Sequence, residues 1–402
     1  MNTDNFDVDR LAAVHQYVRD QIEADQFAGI AWSLHHQNNL IDEGVFGHAN
    51  HARNKPLQSD AIYRLYSMTK PVISLRCLQL VEDGKLRLDD PVSRWIPAFA
   101  KQKVLSADGR QLMPSRPMSI EDLLTHRSGL SYDFLPDCPI ADQYRDAGLA
   151  ANGHRPLSEL VDILASLPLA FEPGERWYYS YATDVLAHVI ERVSDKALDE
   201  DLHQALFAPL LMHETDFRVQ DDQQHRLADM FGQRELGEVA ESSSTRNQLI
   251  PMVVEQSYPS SGVDAFLRGG IGLFSTIGDY QLFLNGLMHG RTLEGRKLLS
   301  APMLDLLWQN RLTAAQMPIN IGGKDYMGYG WGLAGRIMVD PGSSDQLSVP
   351  GEGGWAGAAS THFWVDRSNS LSGIVMTQFL GSNIPLGFDI QSLCYAALES
   401  TA

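Results

Sequence analysis

The chain is poor in cysteine, in basic residues and in long apolar runs, and each shortage closes off a class of function. Its 402 residues hold three cysteines, Cys77, Cys138 and Cys394, far apart and odd in number. They form neither a Cys-x-x-Cys pair nor a zinc spacing, so unpaired thiols in a reducing compartment are expected. Lysine and arginine total 32 against 50 acidic residues, a net charge of −18. A nucleic-acid groove needs clustered cations near the phosphates, so nucleic acid is not expected as a partner, and the acidity serves solubility. No window reaches the roughly 18 unbroken apolar residues of a membrane span. The N-terminal stretch also lacks the apolar core of a secretory signal. A soluble cytoplasmic protein, with no membrane partner, is the expectation. No His-Glu-x-x-His or related zinc spacing occurs. The Gly-x-Ser-x-Gly elbow that anchors an α/β-hydrolase triad is missing too. Neither a metal nor an organic cofactor is expected.

What the chain does contain is a patterned beginning and end around a long middle. Leu11, Val14, Val18 and Ile22 recur at helical spacing over residues 9–24. Two runs follow, 28–36 and 39–47, with Asn38-Asn39 between them, and they read as an antiparallel strand pair. Residues 361–366 and 372–379 read as another pair, and a helical stretch closes the chain. Matched ends predict one antiparallel sheet built from both termini with helices packed on it, an α+β arrangement. The sheet region would take residues 1–85 and 325–402, and a largely helical region residues 86–324. Within that middle, Ser119 and Asp122 form a capping signal, with Gly129 beyond the helix end. Ser158 opens a second helix, and residues 182–194 carry a third apolar stripe. The polar segments 99–118, 131–157 and 219–264 read as long loops, which are often functional.

The chemistry begins at residues 66–85. Val72, Ile73, Leu75, Leu78, Leu80 and Val81 mostly fit one helical stripe, Pro71 is tolerated only near a helix start, and Gly84 marks the end. Ser67 therefore stands at the amino-terminal mouth of a buried helix, where backbone N–H groups and the helix dipole favour negative charge. Lys70 lies one turn away on the same face. Burial and neighbouring cations would lower its pKa and let it act as a base toward Ser67. This is the chain's one Ser-x-x-Lys, yet with 8 lysines about 0.6 matches arise from composition alone. The motif needs company.

That company is LLTHRSGLSYDF at 123–134 and FEPGERWYYSYATDVLAHVIERVS at 171–194. Together with SMTK at 67–70 they resemble the serine β-lactamase and penicillin-binding-protein superfamily, most of all class C β-lactamases and family VIII carboxylesterases. The resemblance runs from about residue 8 to about 395 and keeps the motif order. It implies a β-lactamase-like α+β fold with the active site between sheet and helices. It also implies Ser67 as nucleophile with Lys70 and Tyr179 as proton handlers. A phenol is a poor base at its free pKa, and the expectation is that Lys70 as an ammonium stabilises the Tyr179 anion and lowers its pKa. Tyr181 stands where class C enzymes carry an asparagine that helps hold a lactam amide. No Lys-Thr-Gly or Lys-Ser-Gly occurs. The matching stretch, 350–366, is similar to the Trp-Gly-Gly variant of family VIII esterases, read here as Trp355-Ala356-Gly357. A second register would put Glu352 at the lysine position. In either register the cation for a substrate carboxylate is missing; a tryptophan offers an apolar face and one N–H instead.

By the same analogy the N–H groups of Ser67 and Ala358 form an oxyanion hole, and Tyr132, Tyr181, Trp355 and Gly357 contact substrate. Trp331 reads as core more than pocket wall, and His126 as a helix-end cap. The glycine-rich 267–276 reads as a tight turn near the cleft. The expected partner is a small-molecule ester, cleaved by a serine carboxylesterase acting on small, short-chain substrates. A β-lactamase, a D-amino-acid peptidase, an acyltransferase and a non-catalytic sensor on the same scaffold remain open alternatives. The oligomeric state is not legible.

Overall fold

The structure is a computed structural model that describes residues 5–135, 138–149, 155–232, 247–254 and 267–399. Parts of the segments 131–157 and 219–264 therefore lie outside the described residues. The chain opens with helix α1 (Val8–Glu23), whose Asp7 side chain accepts from the amides of Asp9 and Arg10. Strands β1 (Gly29–His36) and β2 (Asn39–Gly47) pair antiparallel. Their turn is Gln37-Asn38, one residue earlier than the sequence suggests, and both residues take positive φ, as a two-residue hairpin loop demands. Five further strands complete the sheet: β3 (Tyr329–Trp331), β4 (Arg336–Met338), β5 (Gly353–Ala356), β6 (His362–Asp366) and β7 (Leu371–Met376). The order is β3-β4-β5-β6-β7-β1-β2, antiparallel throughout, so the two ends of the chain do meet, in the β7–β1 pair.

The helical region holds α2 (Thr69–Glu82), α3 (Ile120–Leu124), α4 (Leu157–Ser166) and α5 (Ala182–Ser194). The Ser119–Asp122 capping box forms in both directions. Helix α4 begins at Leu157 behind Pro156, whose fixed φ suits a helix entry, so Ser158 lies inside the first turn rather than at the cap. Helix α2 is buried along most of its length and packs on α5.

Two more helices, α6 (Ile277–His289) and α7 (Leu386–Ala397), cover the sheet. Both faces of its central strands are buried, which explains why β1 and β7 read as unbroken apolar runs rather than alternations. Alternate residues still go to opposite sides. Ile30, Trp32 and Leu34 join Leu371 and Val375 in the core under α1 and α7. Ala31, Ile374 and Met376 face the main core on the other side, where α6 packs on β1, β6 and β7. Among the described residues, no helix is long and apolar enough to cross a membrane.

Candidate active site

The turn that carries Ser67 is pinned from several sides. Ile62–Arg64 pairs antiparallel with Phe274–Thr276, and the Leu65 amide donates to Leu273 O at 2.9 Å. Tyr66 then takes φ +46°, a left-handed conformation that a bulky residue adopts only where its surroundings over-determine it. A single 3-10 turn, Tyr66–Met68, leads into α2. The Tyr280 hydroxyl donates to Met68 O at 2.8 Å, and the Leu273 amide to Thr69 Oγ1 at 3.1 Å. Ser67 is held half-buried at the head of α2.

Lys70 Nζ lies 3.2 Å from Ser67 Oγ and donates to Gly270 O at 2.8 Å. The side chain is buried, and burial lowers its pKa to about 7, while Asp184 opposes the shift. An amine with that pKa is free in a substantial fraction of molecules near neutrality. The ammonium also faces two aromatic rings, Tyr179 at 4.5 Å and Tyr132 at 5.5 Å from their centroids. Tyr179 differs from the expectation. Burial raises its phenol above the ordinary range, outweighing the lowering by hydrogen bonds from Ser67 and Trp355. Desolvation thus penalises the phenolate more than its neighbours stabilise it. In the resting site the Lys70 amine is the group that gives up its proton more readily, and Tyr179 is held as a neutral phenol.

The Trp355 indole N–H donates to Tyr179 Oη at 3.2 Å, so the one polar group of this side chain is engaged by the tyrosine rather than free for a ligand. Its ring stands edge-on to Trp331, centroids 4.4 Å apart. Trp331 is buried and donates its own N–H to Leu124 O at 3.1 Å, a backing wall for Trp355. Glu352 is buried elsewhere, bonded to Arg336 Nη2 at 3.3 Å, Tyr329 Oη at 3.0 Å and Ser348 Oγ at 2.8 Å. Trp355 thus reaches Tyr179 from β5, and Glu352 does not. Gly357 crosses the Ser67 turn so closely that a Cβ would stand 2.3 Å from Leu65 O and 2.3 Å from Thr361 Oγ1. Its amide donates to Thr361 O at 2.9 Å. The next residue, Ala358, packs against the apolar cluster that contains Tyr66.

Tyr132 and Tyr181 pack ring against ring, centroids 4.4 Å apart, and Tyr132 also borders Tyr179 at 5.4 Å. The Tyr181 hydroxyl donates to Asp133 Oδ1 at 3.2 Å. His126 is not a charged helix cap. Thr125 is the C-cap, and the imidazole sits in a box of Tyr179, Trp331 and Trp177, where burial and then the Lys70 charge push its pKa well down and keep it neutral. Two contributors escaped the sequence reading. Asp184, in the first turn of α5, and Arg268, in the turn beside Gly270, are both buried, and the Asp184 carboxyl feels the charges of Arg268 and Lys70. The turn itself was legible as such, and the amides of Ile271 and Gly272 both donate to Arg268 O. Among the described residues, no group of three or more His, Cys, Asp or Glu side chains converges as a metal site.

A serine on a helix mouth, a desolvated lysine against it and a buried tyrosine, set between an antiparallel sheet and helices, define a serine hydrolase of the β-lactamase-like fold. Residues 14–389 match the family model described as Beta-lactamase, and the chain belongs to that family. It is 32% identical to Protein Rv1367c of Mycobacterium tuberculosis over 88% of this chain and 86% of that one. It is 26% identical to Esterase EstB of Burkholderia gladioli over 98% and 97% of the two chains. Among solved structures it superposes on EstCE1, a hydrolase with promiscuous acyltransferase activity, with a TM-score of 0.80 and 23% identity over 96% and 99% of the chains.

Proposed function

We propose that the protein is a serine carboxylesterase for small, short-chain, neutral esters, working through an acyl-enzyme on Ser67. The observation that carries this is Lys70 Nζ at 3.2 Å from Ser67 Oγ, in a burial that brings the amine to a pKa of about 7. The neutral amine takes the Ser67 proton as Oγ bonds to the ester carbonyl carbon. The Ser67 and Ala358 amides receive the charge that develops on the carbonyl oxygen. Tyr179 gives its proton to the departing alkoxide and recovers one from the Lys70 ammonium. Water then gives a proton to the same pair as it attacks the acyl carbon, and that proton passes to Ser67 Oγ as the acyl–Oγ bond breaks and the acid leaves. Trp355 on the strand bordering Tyr179 supports a neutral substrate, since no ammonium stands at that position to meet a carboxylate. The esterase name of EstB supports the reaction class. The three unpaired thiols support a cytoplasmic setting.

A series of p-nitrophenyl esters from acetyl to dodecanoyl, run beside nitrocefin, tests the reading. The highest kcat/KM is expected with the short acyl chains, and Ser67→Ala abolishes turnover. Nitrocefin hydrolysis faster than every ester would replace the esterase reading with a lactamase one. Acyl transfer is the second reading, favoured by the promiscuous acyltransferase activity of EstCE1. An added alcohol that captures most of the acyl group in place of water would establish it.

A further inference from the structure

Lys70 is steered by the backbone of one residue, Gly270. Gly270 O accepts from Lys70 Nζ at 2.8 Å, and the amide of the same residue donates to Asp184 Oδ1 at 3.1 Å. A side chain at that position would push the carboxylate aside, because a Cβ would stand 2.6 Å from Asp184 Oδ2 and 3.2 Å from Tyr132 Oη. The preceding Gly269 lies flat on α5, where a Cβ would meet Ala187 Cβ at 2.5 Å and Thr183 O at 2.6 Å. Two successive glycines thus press the turn onto the first turn of α5, with the carboxylate beneath it. Asp184 is 1% exposed, and among the described residues its Oδ2 has no hydrogen-bond partner. A carboxyl oxygen left so far from water and from donors is costly unless charge nearby offsets it. Burial raises the Asp184 pKa, and the charges of Arg268 and then Lys70 offset part of that rise.

We propose that Asp184 is a positioning residue that holds the Lys70 amine against Ser67 through the backbone of Gly270, whose N–H it accepts from and whose carbonyl receives the amine. The proposal rests on the reading of Lys70 as the base of Ser67. The groups that face Lys70 are Ser67 on its own turn, Tyr132 and His126 from the 123–134 segment, Tyr179 and Asp184 on either side of the α5 start, and Gly270 from the turn, where the Arg268 charge acts on Asp184. Of these, only Asp184 brings a negative charge. Burial drives the amine toward its neutral form and Asp184 pulls the other way. Removing that charge therefore frees the amine at lower pH, while removing the carboxylate's grip on Gly270 loosens its aim.

Asp184→Asn and Gly270→Ala in the full chain test this, with folding checked by circular dichroism and melting temperature. In Asp184→Asn the amide can still accept from Gly270, but the charge is gone. The acid limb of kcat/KM with p-nitrophenyl butyrate is expected to move down by about one pH unit. At pH 6 the wild type should show about a tenth of its plateau and the variant about half, as single-proton titration dictates. Gly270→Ala keeps the charge and displaces the carboxylate, and should lower the plateau at least tenfold while the protein stays folded. Folded variants whose limb and plateau both match wild type would overturn the proposal, as would a uniform loss with the limb unmoved in Asp184→Asn. If Asp184→Asn does not fold, a wild-type plateau in Gly270→Ala would overturn it by itself. Failure of the underlying reading is separate: a fluorophosphonate probe would then fail to label Ser67 in the wild type.

Discussion

Replacing Trp355 with phenylalanine removes a single polar contact of known geometry. The indole N–H donates to Tyr179 Oη at 3.2 Å, at the long end of the ordinary range. A net hydrogen bond of this kind contributes about 0.5–1.5 kcal/mol, equivalent to about 2- to 13-fold in rate, and the long distance places the expectation in the lower half. The loss should fall on kcat, because the bond orients Tyr179 rather than substrate. It should also depend on the leaving group. An ethoxide needs the Tyr179 proton to depart, whereas a p-nitrophenoxide is stable enough to leave without it. Steady-state kinetics with ethyl butyrate (by pH-stat) and p-nitrophenyl butyrate (by absorbance) make the comparison. Phenylalanine also loses part of the edge-on contact with Trp331, so a melting curve must accompany the rates. The reasoning is refuted if KM rises while kcat holds for both esters, because the indole N–H would then be binding substrate and not Tyr179.

Three further outcomes follow from the same contacts. The wild-type kcat/KM should rise with pH through a limb near pH 7: the working form is the neutral Lys70 amine, present above its pKa of about 7 and lost as pH falls below it. A flat profile from about pH 5 to 8 would contradict that assignment. Gly357→Ala should cost about 1–3 kcal/mol of stability by overpacking and depress kcat, since the added Cβ meets Leu65 O two residues before Ser67; chemical denaturation and single-turnover rates measure the two effects. Glu352→Gln should lower stability by about 3–5 kcal/mol, because Arg336 is left in the core with its charge uncompensated. Fluorophosphonate labelling of the surviving folded protein should continue, since Glu352 bonds to Arg336, Tyr329 and Ser348 and not to the Ser67 cluster.

Features set by neighbours along the chain were legible before the structure. The apolar spacing of α2 put Ser67 at a helix mouth and Lys70 on its face. The Ser119–Asp122 box and the limits of α5 likewise follow from local spacing. Matched terminal strands anticipated the β7–β1 pair because each end carries its own hairpin. What depends on long-range burial was less legible. The Tyr179 phenol was expected to be lowered by Lys70, but nothing in the sequence states how deeply either is buried, and desolvation decides both directions. The indole of Trp355 could be placed at the strand edge but not aimed at Tyr179, 176 residues away. Asp184 and Gly270, 86 residues apart, meet only through the packing of a turn on α5. The one available signal was the pair Gly269-Gly270, small residues where two backbones must approach closely. Glu352 was a second possible occupant of the strand-edge position until its buried bond to Arg336 removed it.

The central claim is a covalent bond to Ser67, and rapid-quench mass spectrometry of the full chain with a short-chain p-nitrophenyl ester tests it most directly. The account predicts an adduct of one acyl group within the first turnover, mapped to the peptide that carries Ser67, absent in Ser67→Ala, and decaying as the acid appears. An adduct on another residue, or steady ester hydrolysis that persists in Ser67→Ala, would contradict it.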